Sequence, residues 1–100
     1  MKEAQHLFVE GRVQGVGFRH FVKTQADALN LSGWVRNLCD GRVEALAQGE
    51  NQNLAKLVEH LNQGPARAKV KRVEARKIDL QAGIKEFEIV EDGEGPCVNF

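Results

Sequence analysis

The sequence predicts an α+β domain in which two helices cover one face of an antiparallel sheet. Two segments repeat apolar residues at three- and four-residue spacing, which is typical of amphipathic helices. Apolar runs and alternating stretches elsewhere in the chain favour strands, and an Asp-Gly pair between two of them is a strong hairpin signal. The predicted order is therefore strand, helix, strand, strand, helix, strand, followed by one more short strand.

The first half of this order begins with a strand over about residues 6–13, which runs into a glycine-containing loop. A helix is expected from Phe18 to about Asn30, where asparagine tolerates the left-handed conformation that can end a helix. Its apolar residues form one buried stripe, made of Phe18, Phe21, Val22, Ala26 and Leu29. Trp34 to Leu38 then predicts a second strand.

A hairpin joins the second strand to a third over about Arg42 to Gln48. The pair Asp40-Gly41 predicts a two-residue turn with positive φ at both positions. The second helix is expected from about Asn53 to Gln63, capped by Asn51 or Asn53 and ended by Gly64-Pro65. Its stripe consists of Leu54, Leu57, Val58 and Leu61. A fourth strand lies within Val70 to Leu80 and a fifth within Glu86 to Val90.

Each half of the order is a strand–helix–strand crossover, so the first two strands are expected to be parallel with the third inserted between them. This arrangement is a ferredoxin-like α/β sandwich, βαββαβ with an extra short C-terminal strand. One hundred residues with 42% hydrophobic content fit a single domain over residues 1–100 with one modest core. Residues 91–100 are expected to be loosely ordered.

The composition limits which partners and which location are expected for the chain. The formal net charge is zero, so no overall field favours nucleic acid or an anionic membrane. No apolar run approaches membrane-spanning length and the first six residues lack the apolar region of a secretory signal, so we expect a cytoplasmic protein. We also expect it to be a monomer. The two cysteines, Cys39 and Cys97, are expected to be free thiols. The scattered histidines and cysteines offer no ligand spacing for a metal.

The segment Gly11 to Arg19, with the sequence GRVQGVGFR, carries the main functional signal. Glycine reaches backbone conformations that let successive N–H groups point at one spot, and a loop of this kind before a helix favours an anion. Arg19, in the first helical turn, adds a forked cationic donor. The pattern alone also fits a tight strand-to-helix turn with a solvated arginine. His20 stands where a dinucleotide fingerprint needs glycine, and the chain has no Gly-Lys pair for a mononucleotide loop.

Two motifs in this chain resemble the signature blocks of the acylphosphatase family. The first is Gly11-x-Val13-Gln14-Gly15-Val16-x-Phe18-Arg19, and the second is Gly33-Trp34-Val35-x-Asn37-x-x-Asp40-Gly41-x-Val43-Glu44. The similarity covers roughly residues 5–90, and both blocks have the family's order and spacing. Asn30 is a small departure, because a glycine is common there in the family.

The resemblance implies an acylphosphate phosphohydrolase that uses neither metal nor organic cofactor. It implies that Arg19 binds the phosphoryl oxygens and that Asn37 is the catalytic asparagine. An amide suits the second role because it can orient a water without needing a pKa. The substrate would be a small-molecule acyl phosphate, with inorganic phosphate as product and inhibitor. The phosphate-binding group would consist of Gln14, Gly15, Val16, Gly17, Phe18 and Arg19.

Two other functions fit parts of the pattern. Similar domains occur inside larger carbamoyl-transfer proteins, so the chain could be an accessory anion-binding domain. The retention of both Arg19 and Asn37 argues against this alternative. A small RNA-binding module of the same topology needs aromatic side chains on the third strand, and Arg42 to Gln48 has none. A basic run is expected to be the solvated face of an edge strand, with nucleic-acid binding as the less favoured alternative; it is made of Lys69, Lys71, Arg72, Arg76 and Lys77.

Overall fold

Seven elements follow one another in the predicted order in the computed structural model, which describes residues 1–93. The strands are β1 (Lys2–Arg12), β2 (Ser32–Asn37), β3 (Val43–Glu50), β4 (Lys69–Ile78) and β5 (Phe87–Ile89). The helices are α1 (Phe18–Ala28) and α2 (Asn51–Gln63). No helix within these residues is long and apolar enough to cross a bilayer.

The five strands form one sheet in the order β4-β1-β3-β2-β5. β3 lies between β1 and β2 and is antiparallel to both, so β1 and β2 are parallel to each other as expected. β4 pairs antiparallel with the other side of β1. The short β5 pairs parallel with β2, so it adds one parallel edge to an otherwise antiparallel sheet. The topology is the ferredoxin-like arrangement that the sequence predicts.

Both helices pack on one face of the sheet, α1 against β2 and β5 and α2 against β4, β3 and β1. The predicted helical stripes form the inner faces, with Phe18, Val22, Ala26, Leu54, Leu57 and Leu61 fully or almost fully buried. Phe21, Leu29 and Val58 are partly buried at the margins of this core. Burial of each large apolar side chain contributes about 1.5–3 kcal/mol, which fixes the helices on the sheet. No helix within residues 1–93 covers the opposite face of the sheet.

The starts of several elements differ from the sequence-based boundaries; β2, for example, begins at Ser32 rather than at Trp34. β1 begins at Lys2 rather than near residue 6, because this polar segment pairs with β3 from Lys2↔Glu50 onward. α2 begins at Asn51, and Glu50 occupies its N-cap position without a side-chain cap. The expectation that Asn51 or Asn53 caps this helix is therefore wrong. Gly64 ends the helix as expected, with φ 67°.

The hairpin between β2 and β3 has a three-residue loop, so the predicted two-residue turn is wrong. The N–H of Leu38 donates to the carbonyl of Arg42, and Cys39, Asp40 and Gly41 lie between them. Gly41 has φ 95°, whereas Asp40 is not among the residues with positive φ. A three-residue loop with glycine last also accommodates an Asp-Gly pair, and it needs only one left-handed residue. The Asp40 carboxylate accepts the N–H of Arg42 at 3.1 Å.

Four smaller expectations concern single residues and the edges of the fold. Asn30, two residues beyond the end of α1, has φ 56°, which confirms the left-handed conformation expected there. Cys39 is disulfide-bonded, so the expectation of a free thiol at this position is wrong; Cys97 lies outside the described residues. Most of the segment expected to be loosely ordered, residues 94–100, also lies outside them. β4 is an edge strand, and its five predicted basic residues are exposed.

Candidate active site

The loop between β1 and α1 exposes its backbone N–H groups. Gly15 and Gly17 adopt left-handed conformations with φ 72° and 78°, which glycine accepts without strain. A Cβ built on either residue meets nothing within 4 Å, so the space beside this backbone is open. Within residues 1–93, the N–H groups of residues 15–17 donate no hydrogen bond to another protein group. These donors are available to a ligand.

The N-terminus of α1 continues this set of free donors. Gly17 is the N-cap and provides no side-chain cap, and the first turn contains no acidic residue. The positive end of the helix is therefore not neutralised by its own side chains, which favours an external anion. Phe18 is 1% exposed and anchors the first turn in the core, so the loop leads into a rigid element.

Arg19 lies in the first turn of α1, off the buried stripe. Its side chain is 39% exposed, and its Nη1 lies 3.4 Å from the carboxylate Oδ1 of Asp92. A single long contact between exposed groups is weak and can be exchanged for stronger bonds to a bound anion. His20, the next residue, is exposed.

Asn37 is the last residue of β2. It is two positions after the buried Val35 and so projects to the same, helix-covered side of the sheet. Its backbone carbonyl accepts the N–H of Gly93 at 2.8 Å. Its side-chain Oδ1 is buried and receives no hydrogen bond from any group in residues 1–93. An orphaned buried acceptor costs about 1–3 kcal/mol, and this oxygen keeps an unused capacity to accept a hydrogen bond, as does Oε1 of Gln5.

Contacts with two neighbouring segments place Arg19 and Asn37 at the same end of the sheet. Asp92 contacts Arg19 and the adjacent Gly93 contacts Asn37, so consecutive residues touch both. On the other side, Nε2 of Gln14 donates to the carbonyl oxygens of Leu38 and Arg42 at 2.7 and 2.9 Å. The glycine loop is thereby held beside the end of the hairpin that carries Asn37.

The sequence motifs do not indicate the contacts of Gln14, Asp92 and Gly93. Gln14 was grouped with the phosphate-binding residues, but both N–H bonds of its side-chain amide go to hairpin carbonyls. Only its backbone N–H and its amide oxygen are left for a ligand. No local pattern identifies Asp92 or Gly93, because their partners in the site lie far away in the sequence.

The electrostatics of the described site involve one perturbed carboxyl group. The N–H of Arg42 donates to the Asp40 carboxylate and lowers the pKa of Asp40 from its ordinary value of 3.8; the guanidinium of Arg42, 2.8 Å away, adds to this effect. Among residues 1–93, no group of three or more histidine, cysteine, aspartate or glutamate side chains could hold a metal ion. The donors gathered here are backbone N–H groups, one guanidinium and amides, which suit a phosphoryl group.

Comparisons with known proteins identify the family of this chain. The model of the acylphosphatase family matches residues 5–89. An acylphosphatase of Helicobacter hepaticus is 45% identical over 95 residues, covering 90% of this chain and 99% of the relative. One of Pseudomonas paraeruginosa is 51% identical over 82 residues, covering 82% of this chain and 89% of the relative.

Solved structures give the same result. The crystal structure of acylphosphatase from Bacillus subtilis superposes with a TM-score of 0.85 at 42% identity, covering 90% of this chain and 99% of that one. Full-length HypF, solved in a phosphate- and nucleotide-bound form, contains a similar region with a TM-score of 0.85 at 28% identity. It matches 95% of this chain but only 13% of its own length. With a family match over most of its length and relatives of this similarity, the chain belongs to the acylphosphatase family.

Proposed function

We propose that this chain hydrolyses an acyl phosphate to a carboxylate and inorganic phosphate, with Arg19 and the loop amides holding the phosphoryl group and Asn37 orienting the attacking water. Membership of the family supports the acylphosphatase activity itself. The observation that carries the assignment of roles is the buried Oδ1 of Asn37, which lacks a protein donor within residues 1–93. It lies at the end of the sheet where the glycine loop presents its free N–H groups.

Binding of the phosphoryl group uses two kinds of donor. The N–H groups from Gly15 to Phe18 surround one face of the anion and add the positive end of α1. The guanidinium of Arg19 stays charged at any usable pH and can donate to two oxygens at once. Both sets of donors stabilise the negative charge that the phosphoryl oxygens carry during transfer.

Attack by water needs orientation more than proton abstraction. Oδ1 of Asn37 accepts a hydrogen bond from the water, which turns a lone pair of the water oxygen toward phosphorus. The new bond forms between water oxygen and phosphorus as the bond from phosphorus to the acyl oxygen breaks. The carboxylate leaves with the bonding electrons, and the proton of the water passes to a phosphate oxygen. Because a carboxylate is a stable leaving group, the reaction requires no strong general acid.

The direct test of the proposed activity is hydrolysis of acetyl phosphate by the purified protein in saturating chelator. We expect release of acetate and inorganic phosphate at the same rate with and without chelator. A rate that is lost in chelator and restored by a divalent cation would contradict the proposed chemistry. Binding of phosphate without any hydrolysis would instead favour the accessory anion-binding function.

We propose a small acyl phosphate as the substrate and inorganic phosphate as a competitive inhibitor, because the product retains the group that the loop and Arg19 would bind. A cytoplasmic location, a monomeric state, a single domain over residues 1–100 and the lack of a nucleic-acid partner remain predictions from composition. Size-exclusion chromatography with light scattering tests the monomeric state.

A further inference from the structure

We propose that Gln14 is a positioning residue that sets the distance between the phosphate loop and Asn37. The proposal rests on the proposed function, since it assigns Gln14 an effect that acts through Asn37. It differs from the grouping of Gln14 with the phosphate-binding residues, because it gives the side chain a partner in the protein rather than in the substrate.

The side-chain amide of Gln14 lies partly buried between two segments that are far apart in the sequence. Its Nε2 donates to the Leu38 carbonyl at 2.7 Å and to the Arg42 carbonyl at 2.9 Å. The Arg42 carbonyl also accepts the N–H of Leu38 at 2.8 Å, so the amide joins the hydrogen bond that closes the hairpin loop. One NH₂ group has two N–H bonds, and both have an acceptor here.

The positions of these residues connect the two parts of the site. Gln14 directly precedes Gly15, where the free N–H groups begin, and Leu38 directly follows Asn37. Within residues 1–93, the two bonds of Gln14 are the only hydrogen bonds between residues 13–17 and the β2–β3 hairpin. Otherwise the loop is held by β1 and α1, and Asn37 is held by pairing with Val43 on β3 and by the N–H of Gly93.

The chemistry of the side chain fits a positioning role. Glutamate at this position would place carboxylate oxygens against two carbonyl oxygens, and methionine would match the length without donating. Loss of both bonds would leave the loop and the hairpin free to shift relative to each other. A shift of about 1 Å between a bound substrate and the group that positions its attacking partner can lower turnover by roughly 10²-fold.

The experiment compares Gln14→Met with Gln48→Met in steady-state hydrolysis of acetyl phosphate, phosphate inhibition and thermal unfolding. Gln48 is a matched control, because its amide also makes two hydrogen bonds to backbone, both with Gln81, and β3 places it at the opposite end of the sheet. We expect Gln14→Met to lower kcat roughly 10- to 100-fold and to change the phosphate inhibition constant less than about threefold. We expect Gln48→Met to leave both kinetic constants within about twofold of the parent protein.

A double-mutant cycle with Asn37→Ala shows whether Gln14→Met lowers kcat by displacing Asn37 or by a general effect on the protein. If Gln14 acts by placing Asn37, Gln14→Met changes kcat by less than about twofold in the Asn37→Ala background. An equal loss of kcat in both backgrounds would overturn the inference, as would a phosphate inhibition constant that weakens as much as kcat falls. Should Gln14→Met be unfolded at the assay temperature, Gln14→His, which keeps one N–H donor at similar reach, takes its place in the cycle.

The same data separate this inference from the proposed function. If Asn37→Ala retains full turnover while folded, the proposed role of Asn37 is wrong whatever Gln14 does. If Asn37→Ala is impaired and Gln14→Met has the parent protein's kcat, the role of Asn37 stands and the inference about Gln14 is wrong.

Discussion

The carboxylate of Asp92 lies 3.4 Å from the guanidinium of Arg19, 73 positions earlier in the chain. Asp92 is 62% exposed and Arg19 is 39% exposed, so the pair is accessible to solvent and to ions. This arrangement places a negative charge beside the guanidinium of Arg19, which is proposed to bind the phosphoryl oxygens. If Arg19 binds the phosphoryl group as proposed, Asp92 would compete with that anion for Arg19 and would also repel the anion.

Replacing Asp92 with asparagine should strengthen phosphate binding. Exposed ion pairs contribute about 0.2–1 kcal/mol, so we expect Asp92→Asn to lower the phosphate inhibition constant by up to about fivefold at low ionic strength. The difference should shrink at higher salt, because both the ion pair and the repulsion are screened.

A matched control for this substitution is Asp27→Asn. Asp27 pairs with Lys23 at 2.9 Å in the last turns of α1, the helix that also contains Arg19. It contacts neither Arg19 nor the glycine loop. We expect no change in phosphate inhibition for this variant. Weaker phosphate binding in Asp92→Asn would show that Asp92 holds Arg19 in its binding orientation rather than competing for it.

The left-handed conformation of Gly17 leads to a second prediction. A Cβ at this position meets no neighbour, so Gly17→Ala is opposed by backbone strain rather than by a clash. We expect it to destabilise the fold by about 1–2 kcal/mol and to weaken phosphate inhibition, because relief of the strain would turn loop N–H groups away from the anion.

Gly83 provides the comparison for Gly17. It has φ 83° and equally open surroundings, but it lies in the connection between β4 and β5. Gly83→Ala should lower the melting temperature to a similar degree and leave the phosphate inhibition constant unchanged. If both variants weaken phosphate inhibition equally, the effect of Gly17→Ala comes from general destabilisation and not from the loop.

The lowered pKa of Asp40 predicts a pH-dependent contribution to stability. Because the folded-state pKa lies below the ordinary value of 3.8, the charged carboxylate stabilises the fold above that value, and the contribution is lost as pH falls through the folded-state pKa. Asp40→Asn keeps an oxygen for the N–H of Arg42 but removes the charge. Asp40 is 37% exposed, so solvent screening limits the difference to about 1 kcal/mol or less.

Urea unfolding of both proteins between about pH 2 and pH 7 measures this difference. We expect the parent protein to be the more stable at neutral pH and the two curves to converge in acid. A difference in unfolding free energy that does not vary over this range would show that the charge of Asp40 makes no contribution.

The sequence predicted the elements of this fold because their signals are local. The buried stripes of α1 and α2 follow from the spacing of their apolar residues, and Asn30 and Gly64 mark the helix ends by their own conformations. The length of the hairpin loop was predicted wrongly, because Asp-Gly fits loops of two and of three residues. The start of β1 was also missed, since the strand state of Lys2 depends on partners in β3.

The candidate site was predictable only as a set of separate residues. The two motifs point to Arg19 and Asn37 through the resemblance to a family. Neither motif indicates which residues connect the two in the folded protein. The bonds from Gln14 to the hairpin and the contact of Asp92 with Arg19 depend on how distant segments pack. Such contacts are set by tertiary structure, so they cannot be inferred from a single sequence without the fold.

The most direct test of the separate roles of Arg19 and Asn37 is steady-state kinetics with phosphate as inhibitor. It yields kcat and the phosphate inhibition constant for Arg19→Ala and for Asn37→Ala. Arg19→Ala should weaken phosphate inhibition and lower kcat, each by roughly 10²-fold or more, because its bonds to the phosphoryl group are lost in both substrate and transition state. Asn37→Ala should lower kcat to a similar degree while phosphate inhibits almost as well as before. Thermal melts should show both variants folded. Full turnover by a folded Asn37→Ala protein would contradict the account.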